Sequence, residues 1–257
     1  MNPNFYIQSP VLLCIALLFV GCAKEVPIAE QAADILVVEA TLVVGEPIQE
    51  VFIHGLRGVV EDQTQHNLQV KVTGPTEDIV LSPVADKPGY YQGPETYLIT
   101  QNASYTLSIP FNDELVLAET ETPPSMEALS YSKDHIDAEV QGDLVFLEWT
   151  GVNTGSFNEY FYVIELTPLD SQAAEIVRIS EDPKSSSVLS YTSDATLSIE
   201  DFNFYGAHSI KVYAVSKDYE SLFTPQSDSG VNGPTNIQNG YGYFLGTSVI
   251  EGDLEIR

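Results

Sequence analysis

Along most of this chain apolar and polar residues alternate one by one, the period of a strand with one buried face. ILVVEATLVV (Ile35–Val44) reads as a strand stopped by Gly45-Glu46-Pro47. In EVFIHG, Val51 and Ile53 share a face. In NLQVKVTGP, Leu68, Val70 and Val72 point one way while Gln69 and Lys71 point the other, and Gly74-Pro75 ends the run. DIVLSPV follows, then a turn at Lys87-Pro88-Gly89 before Tyr90-Tyr91. SYTLSIPF keeps Tyr105, Leu107 and Ile109 in register, and ELVLAETET closes the series. Seven short strands with a turn signal roughly every ten residues predict an antiparallel sandwich. No stretch carries a convincing helical period.

Thr122-Pro123-Pro124-Ser125 is the expected boundary, because two prolines remove two backbone donors and hold the chain extended. The second half then starts over. DLVFLEWTG (Asp143–Gly151) sets Leu144, Phe146 and Glu148 against Val145, Leu147 and Trp149, and the wholly apolar Trp149 face is expected in the core. EYFYVIELTPLD, EIVRIS, ATLSIEDF and HSIKVYAVSKD follow. In the last, Ile210, Val212 and Ala214 alternate with Lys211, Tyr213 and Val215. In EYFYVIELTPLD, Tyr160 and Tyr162 fall opposite Phe161, so at least one side is expected in a core. Asp218–Phe223 suits a short helical turn. SDSGVNGPTNIQNGYGYFLG, residues 227–246, reads as a long Gly/Asn/Pro-rich loop, a kind often tied to function.

The N-terminus changes the picture. Residues 1–21 hold no Asp, Glu, Lys or Arg, and an apolar run, VLLCIALLFV (Val11–Val20), ends in Gly21-Cys22. The run falls short of the ~20 residues a membrane span needs and has the length of a signal-peptide core. A small residue before cysteine at its end resembles a lipobox, although Phe19 and Val20 depart from the usual Leu and small residue. The expectation is a signal peptide over 1–21, lipidation of Cys22 and a polar tether over 22–33. An ordinary signal peptide cut near Gly21 and a buried N-terminal strand are the alternatives. With Cys14 removed, Cys22 has no cysteine to pair with, so the fold must rest on a hydrophobic core.

Charge narrows the partners. The chain holds 37 acidic against 10 basic side chains, a net charge of −27. Nucleic acid is excluded, since phosphates require a basic footprint. An anionic membrane surface would repel the body, so attachment must come from lipid. The acidity serves solubility or attracts a cationic partner or divalent cations; no acidic run has the spacing of a calcium loop.

Candidate chemistry is sparse. His54, His66, His135 and His208 are scattered without metal-ligand spacing, and no Gly-x-Ser-x-Gly elbow occurs. Asp134, Asp137, Glu139 and Asp143 form the densest acidic group, read as a solvated loop because an EF-hand spacing is missing. Gly240, Gly242 and Gly246 lack a phosphate-loop spacing and are better read as turns or close backbone approaches. Neither a metal nor a cofactor is expected. Tyr241, Tyr243 and Phe244 remain candidate partner-binding aromatics, weighed against core packing or a domain contact. Tyr90-Tyr91 sit at a turn.

Several of these features occur together in one known family. The lipobox-like start, the LVVEA strand, the TPPS hinge, VSKDYESLF (Val215–Phe223) and above all NIQNGYGYFLG (Asn236–Gly246) resemble the Bacteroidota outer-membrane lipoproteins classed as domain of unknown function 4249. The most specific pattern is carried by Asn236, Ile237, Gly240, Gly242 and Phe244. Residues 126–220 also resemble a fibronectin type III domain in architecture, with an early buried Trp and a late Lys-Val-Tyr-Ala-Val strand. The resemblance implies an all-β chain of two antiparallel β-sandwich domains. An immunoglobulin-like one is expected over 34–122 and a fibronectin III-like one over 123–257. It implies no catalytic residue. Family genes often lie beside TonB-dependent transporters, so the expected function is a non-enzymatic outer-membrane lipoprotein accessory to such a transporter. The alternative is a stand-alone glycan-binding or adhesin-type surface lipoprotein with a glycan or peptide ligand. An enzyme would require a site built at the domain interface.

Overall fold

The computed structural model describes residues 35–55, 68–152, 159–176, 187–223 and 235–257. The expected signal peptide, Cys22, the tether, His66, most of EIVRIS and the first part of the Gly-rich segment lie outside them.

The first half contains β1 (Leu36–Val43), β2 (Val51–Gly55), β3 (Lys71–Thr73), β4 (Asp78–Val80), β5 (Ser82–Pro83), β6 (Tyr90–Gln92), β7 (Ser104–Phe111) and β8 (Glu114–Glu121). The second contains β9 (Ala128–Tyr131), β10 (His135–Ile136), β11 (Leu144–Thr150), β12 (Tyr160–Pro168), β13 (Ser187–Ser190), β14 (Asp194–Ser198) and β15 (Gly206–Ser216). The short β16 (Ile237–Gln238) and the 17-residue β17 (Gly240–Ile256) end the chain. Among the described residues, helix is confined to 3-10 turns at Ile199–Asp201 and Lys217–Leu222, the second matching the expected helical turn.

One nine-stranded sheet runs behind both halves, in the order β13-β12-β15-β17-β1-β2-β6-β5, with β10 also paired to β17. A five-stranded sheet, β16-β8-β7-β3-β4, covers one part of it, and a three-stranded sheet, β14-β11-β9, covers the other. The protein is therefore all-β and sandwich-like. Each sandwich fills with the inward residues of facing strands. The first core joins Leu36, Val38, Ala40 and Leu42 of β1 to Tyr105, Leu107 and Ile109 of β7, and also takes Tyr91. The second joins Val145, Leu147 and Trp149 of β11 to Ile210, Val212 and Ala214 of β15. Trp149 is buried as its alternation predicts, edge-on to Tyr162 at 5.0 Å.

The expected loop at the C-terminus is corrected from Ile237 onward: it is strand. The first half of β17 pairs in parallel with β1, from Leu36↔Gly240 to Val43↔Thr247. The second half pairs antiparallel with β15, from Val215↔Thr247 to Gly206↔Ile256. Ile237 and Phe244 thus lie in the first core, while Leu254 and Ile256 lie in the second. The physical reason is close approach. A side chain at Gly242 would place its Cβ 2.0 Å from the Val38 carbonyl oxygen, and one at Gly246 would lie 2.6 Å from the Glu121 carbonyl oxygen. Glycine here admits neighbouring backbone into the sheet.

The proline boundary lies between β8 and β9 and is tied down. The buried Thr122 hydroxyl donates to the Thr100 carbonyl at 2.7 Å, and the Ser125 N–H donates to the Gln101 side chain at 2.7 Å.

Candidate functional site

The pattern Asn236, Ile237, Gly240, Gly242, Phe244 is a structural latch. Asn236 mimics a strand neighbour: its amide donates to the Phe244 carbonyl at 2.7 Å, and its side-chain oxygen accepts from the Phe244 N–H at 2.9 Å. Asn239, with φ of 58°, turns the chain between β16 and β17 and donates to the Leu115 carbonyl at 2.9 Å. Phe244 is fully buried, which removes it from the partner-contacting candidates; inward alternation on β17 places it in the first core. Tyr241 and Tyr243 point the other way and are half-buried on the outer face of the shared sheet.

That outer face carries a cleft lined by aromatic rings and carboxylates. Four strands place Tyr90, Phe52, Glu39 and Tyr243 in one cross-strand row: Phe52 pairs with Tyr90, Glu39 with Phe52, and Glu39 with Tyr243. The Phe52 ring stacks on Tyr90 at 4.5 Å and on His54 at 4.8 Å. Such offset aromatic pairs contribute roughly 0.5–1.5 kcal/mol beyond burial. Glu39 stands 3.5 Å from the His54 ring nitrogen. At the rim, the Lys87 ammonium pairs with Glu50 at 2.8 Å and sits 5.5 Å above the centre of the Tyr90 ring. Glu39, Phe52, Tyr90, Tyr243 and Glu50, with Glu46, Pro47 and Gln49, line a cleft of about 350 Å³. Burial raises the Tyr243 phenol above its ordinary pKa, and the Glu39 carboxylate adds to the effect.

A second hollow of about 550 Å³ adjoins it, sharing Thr41, Val43 and Tyr243. Val163, Val215, Leu245 and Phe223 line it, together with Glu165 and Tyr213. Here β12 buries its outer side as well, with Phe161 fully covered and edge-on to Phe223 at 5.4 Å. Both faces of the Tyr160–Tyr162 stretch are thus packed, since Tyr162 lies in the second core.

The other candidates do not join this site. Tyr91 is buried, its hydroxyl accepting from the Leu68 N–H at 2.9 Å. Asp143 accepts from the Asp137 N–H at 2.8 Å and pairs with Lys133, and these two partners hold its carboxyl below the usual carboxylate range. Asp134 is occupied by His135 at 2.7 Å. His208 is buried against Phe202, and burial lowers its pKa from the ordinary value. Where the two halves meet, Glu121, Glu159, Tyr160, Ser216, Lys217 and Asp218 line a polar cavity of about 430 Å³.

Phe52, Glu39, Glu46 and Glu50 were not among the residues singled out from sequence. The available signal was the off-face set of the first two strands: Glu39 alternates with Val38 and Ala40, and Phe52 with Val51 and Ile53. Their convergence depends on pairing between distant segments, which local periodicity does not carry.

Fold and site together define an all-β protein of two fused sandwich-like units with a recessed aromatic and acidic outer face. The chain belongs to the family described as domain of unknown function DUF4249, whose sequence model matches residues 24–252. A search of curated proteins gives no match. Among solved structures, trypsin-activated alpha-2-macroglobulin from Escherichia coli aligns with a TM-score of 0.24 and 10% identity, over 87% of this chain and 16% of that one. The chain thus spans a small part of that protein, and likeness at this level carries no argument.

Proposed function

We propose that this chain is a non-enzymatic lipoprotein of the outer membrane, of the Bacteroidota type, that serves as an accessory binding module for a TonB-dependent transporter. The carrying observation is the position of Cys22. It stands one residue past the apolar run, after Gly21, and the family match begins at residue 24, so the matched body starts just past the expected lipid anchor. A body of net charge −27 has no electrostatic affinity for an anionic surface. Acyl chains supply ~0.8 kcal/mol per buried CH₂, enough for stable anchoring when more than one is attached. The three strands β9, β11 and β14 facing β13, β12, β15 and β17 support the fibronectin III-like reading of the second unit. Binding suits the outer face, which concentrates aromatic rings and carboxylates in a recess.

Cys22→Ser is expected to move the folded protein from the membrane fraction to the soluble one. Affinity recovery of the wild-type chain from detergent-treated native membranes is expected to bring down a transporter. Continued membrane attachment of the variant contradicts the anchor, and recovery without a transporter contradicts the accessory role. A second reading, a stand-alone glycan-binding lipoprotein, is favoured by Tyr90 and Tyr243 flanking the cleft. Under it, glycan-array binding disappears in Tyr241→Ala with Tyr243→Ala.

A further inference from the structure

We propose that the outer-face cleft recognises an extended peptide segment of a protein partner, seating a lysine or arginine side chain on the Phe52–Tyr90 stack beside Glu39 and Glu50. Three observations carry this. The first is the pairing of ring faces with carboxylates. Phe52 stacks face to face with Tyr90 and with His54, which leaves Tyr90 its outer ring face, and Glu39, Glu46 and Glu50 line the same cavity. A cation over a ring face gains from the ring quadrupole and from the neighbouring negative charge together. A neutral sugar uses the ring but has less need of several carboxylates.

The second observation is that the protein already makes this contact with itself. Lys87 holds its ammonium above Tyr90 and against Glu50 at the cleft rim. Both members of the Lys87–Glu50 pair are more than half exposed, so the pair is solvent-accessible and exchangeable. Lys87 is thus a tethered occupant that an incoming cation would displace or join.

The third observation selects a peptide over a small amine. The acidic recess opens beside a second hollow whose floor is the buried Val163, Val215 and Leu245 and which Phe223 and Glu165 also line, with Thr41, Val43 and Tyr243 common to both. A segment with a basic residue followed by apolar ones matches this order of chemistry, because successive side chains of an extended chain reach successive subsites. The inference rests on the outer face being a binding surface. It does not depend on the anchor or the transporter, so failure of either leaves it standing.

The test uses the full chain, purified in detergent, and fluorescence anisotropy of a labelled hexapeptide, Gly-Gly-Lys-Val-Leu-Gly. Saturable binding is expected, weakening with salt as surface charge pairs are screened. The peptide with Gln in place of Lys should bind about tenfold more weakly, in line with loss of a cation–π contact and its ion pair. Glu39→Gln with Glu50→Gln should cause a similar loss and flatten the salt dependence. Lys87→Ala should tighten binding about threefold by removing the tethered competitor. Lys71→Ala, which breaks a pair with Asp78 on the five-stranded sheet, should change nothing. All variants are exposed, and an unchanged thermal midpoint checks their folding. Equal binding of the Gln peptide, indifference to the Glu39 and Glu50 changes, no effect of Lys87→Ala, or no saturation by about 1 mM peptide each overturn the proposal. Spermidine binding as tightly as the peptide overturns the peptide assignment. A chitin hexamer that binds where the peptide does not identifies a neutral-glycan site instead.

Discussion

Two glycines with positive φ show how much a single position depends on its surroundings. Gly45 has φ of +84° and nothing within 4 Å of where a Cβ would stand; Gly242 has φ of +96° and the Val38 carbonyl oxygen 2.0 Å away. Gly45→Ala therefore meets only the left-handed backbone penalty, about 1–2 kcal/mol. Gly242→Ala meets that penalty and must also push β17 off β1, at a total cost of more than about 3 kcal/mol. Thermal melting should separate the two: about 1 kcal/mol corresponds to 2–4 °C for a chain of this size, so Gly242→Ala should fall well below Gly45→Ala. Equal midpoints would mean that Gly242 is not held against β1. The same contrast explains what was legible at this scale. Trp149 and Leu107 announced their burial through alternation, since a core residue is recognised by its own apolar side chain. Gly242 has no side chain to read, and its role is visible only beside Val38.

Among the elements, β17 is the one that local signals misassign. Its opening, Gly-Tyr-Gly-Tyr, has the strand period, with glycines inward and tyrosines outward. Glycine and asparagine nevertheless weigh toward a loop, because in most contexts they mark turns. Three neighbours outweigh that tendency: β1 on one side, β15 on the other, and Asn236 pairing with both backbone groups of Phe244. By contrast β1, β7, β11 and β15 were legible, because each has one face packed on a core and alternation follows from that. Where strands pair on both sides, as β1 and β15 do at Thr247, a segment opens only when the sheet does, whereas edge strands fray locally. Amide hydrogen exchange should therefore place β17 near Thr247, which β1 and β15 both flank, among the most protected segments. The edge strands β4 and β13 should exchange faster. Rapid exchange around Thr247 would show that the strand does not bind the two units together.

For the molecule as a whole, the consequence is cooperativity across a boundary that looks like a hinge. The two prolines after Thr122 suggest independent modules, and each half does have its own main core. Yet a single strand contributes Phe244 to one and Leu254 and Ile256 to the other, so losing the first unit exposes the pairing edge of the second. The only tryptophan, Trp149, lies in the second core and reports on that unit alone. Leu107 lies fully buried in the first core, on the sheet opposite β17. Leu107→Ala leaves a cavity and costs about 2–5 kcal/mol. If β17 joins the units into one folding body, urea unfolding followed by Trp149 fluorescence should shift to lower denaturant by as much as far-UV circular dichroism does. Independent units predict a different result: the Trp149 transition stays in place while part of the dichroism signal moves away from it. A stationary Trp149 transition would assign the two sandwiches separate stabilities and reduce β17 to a covalent link between them.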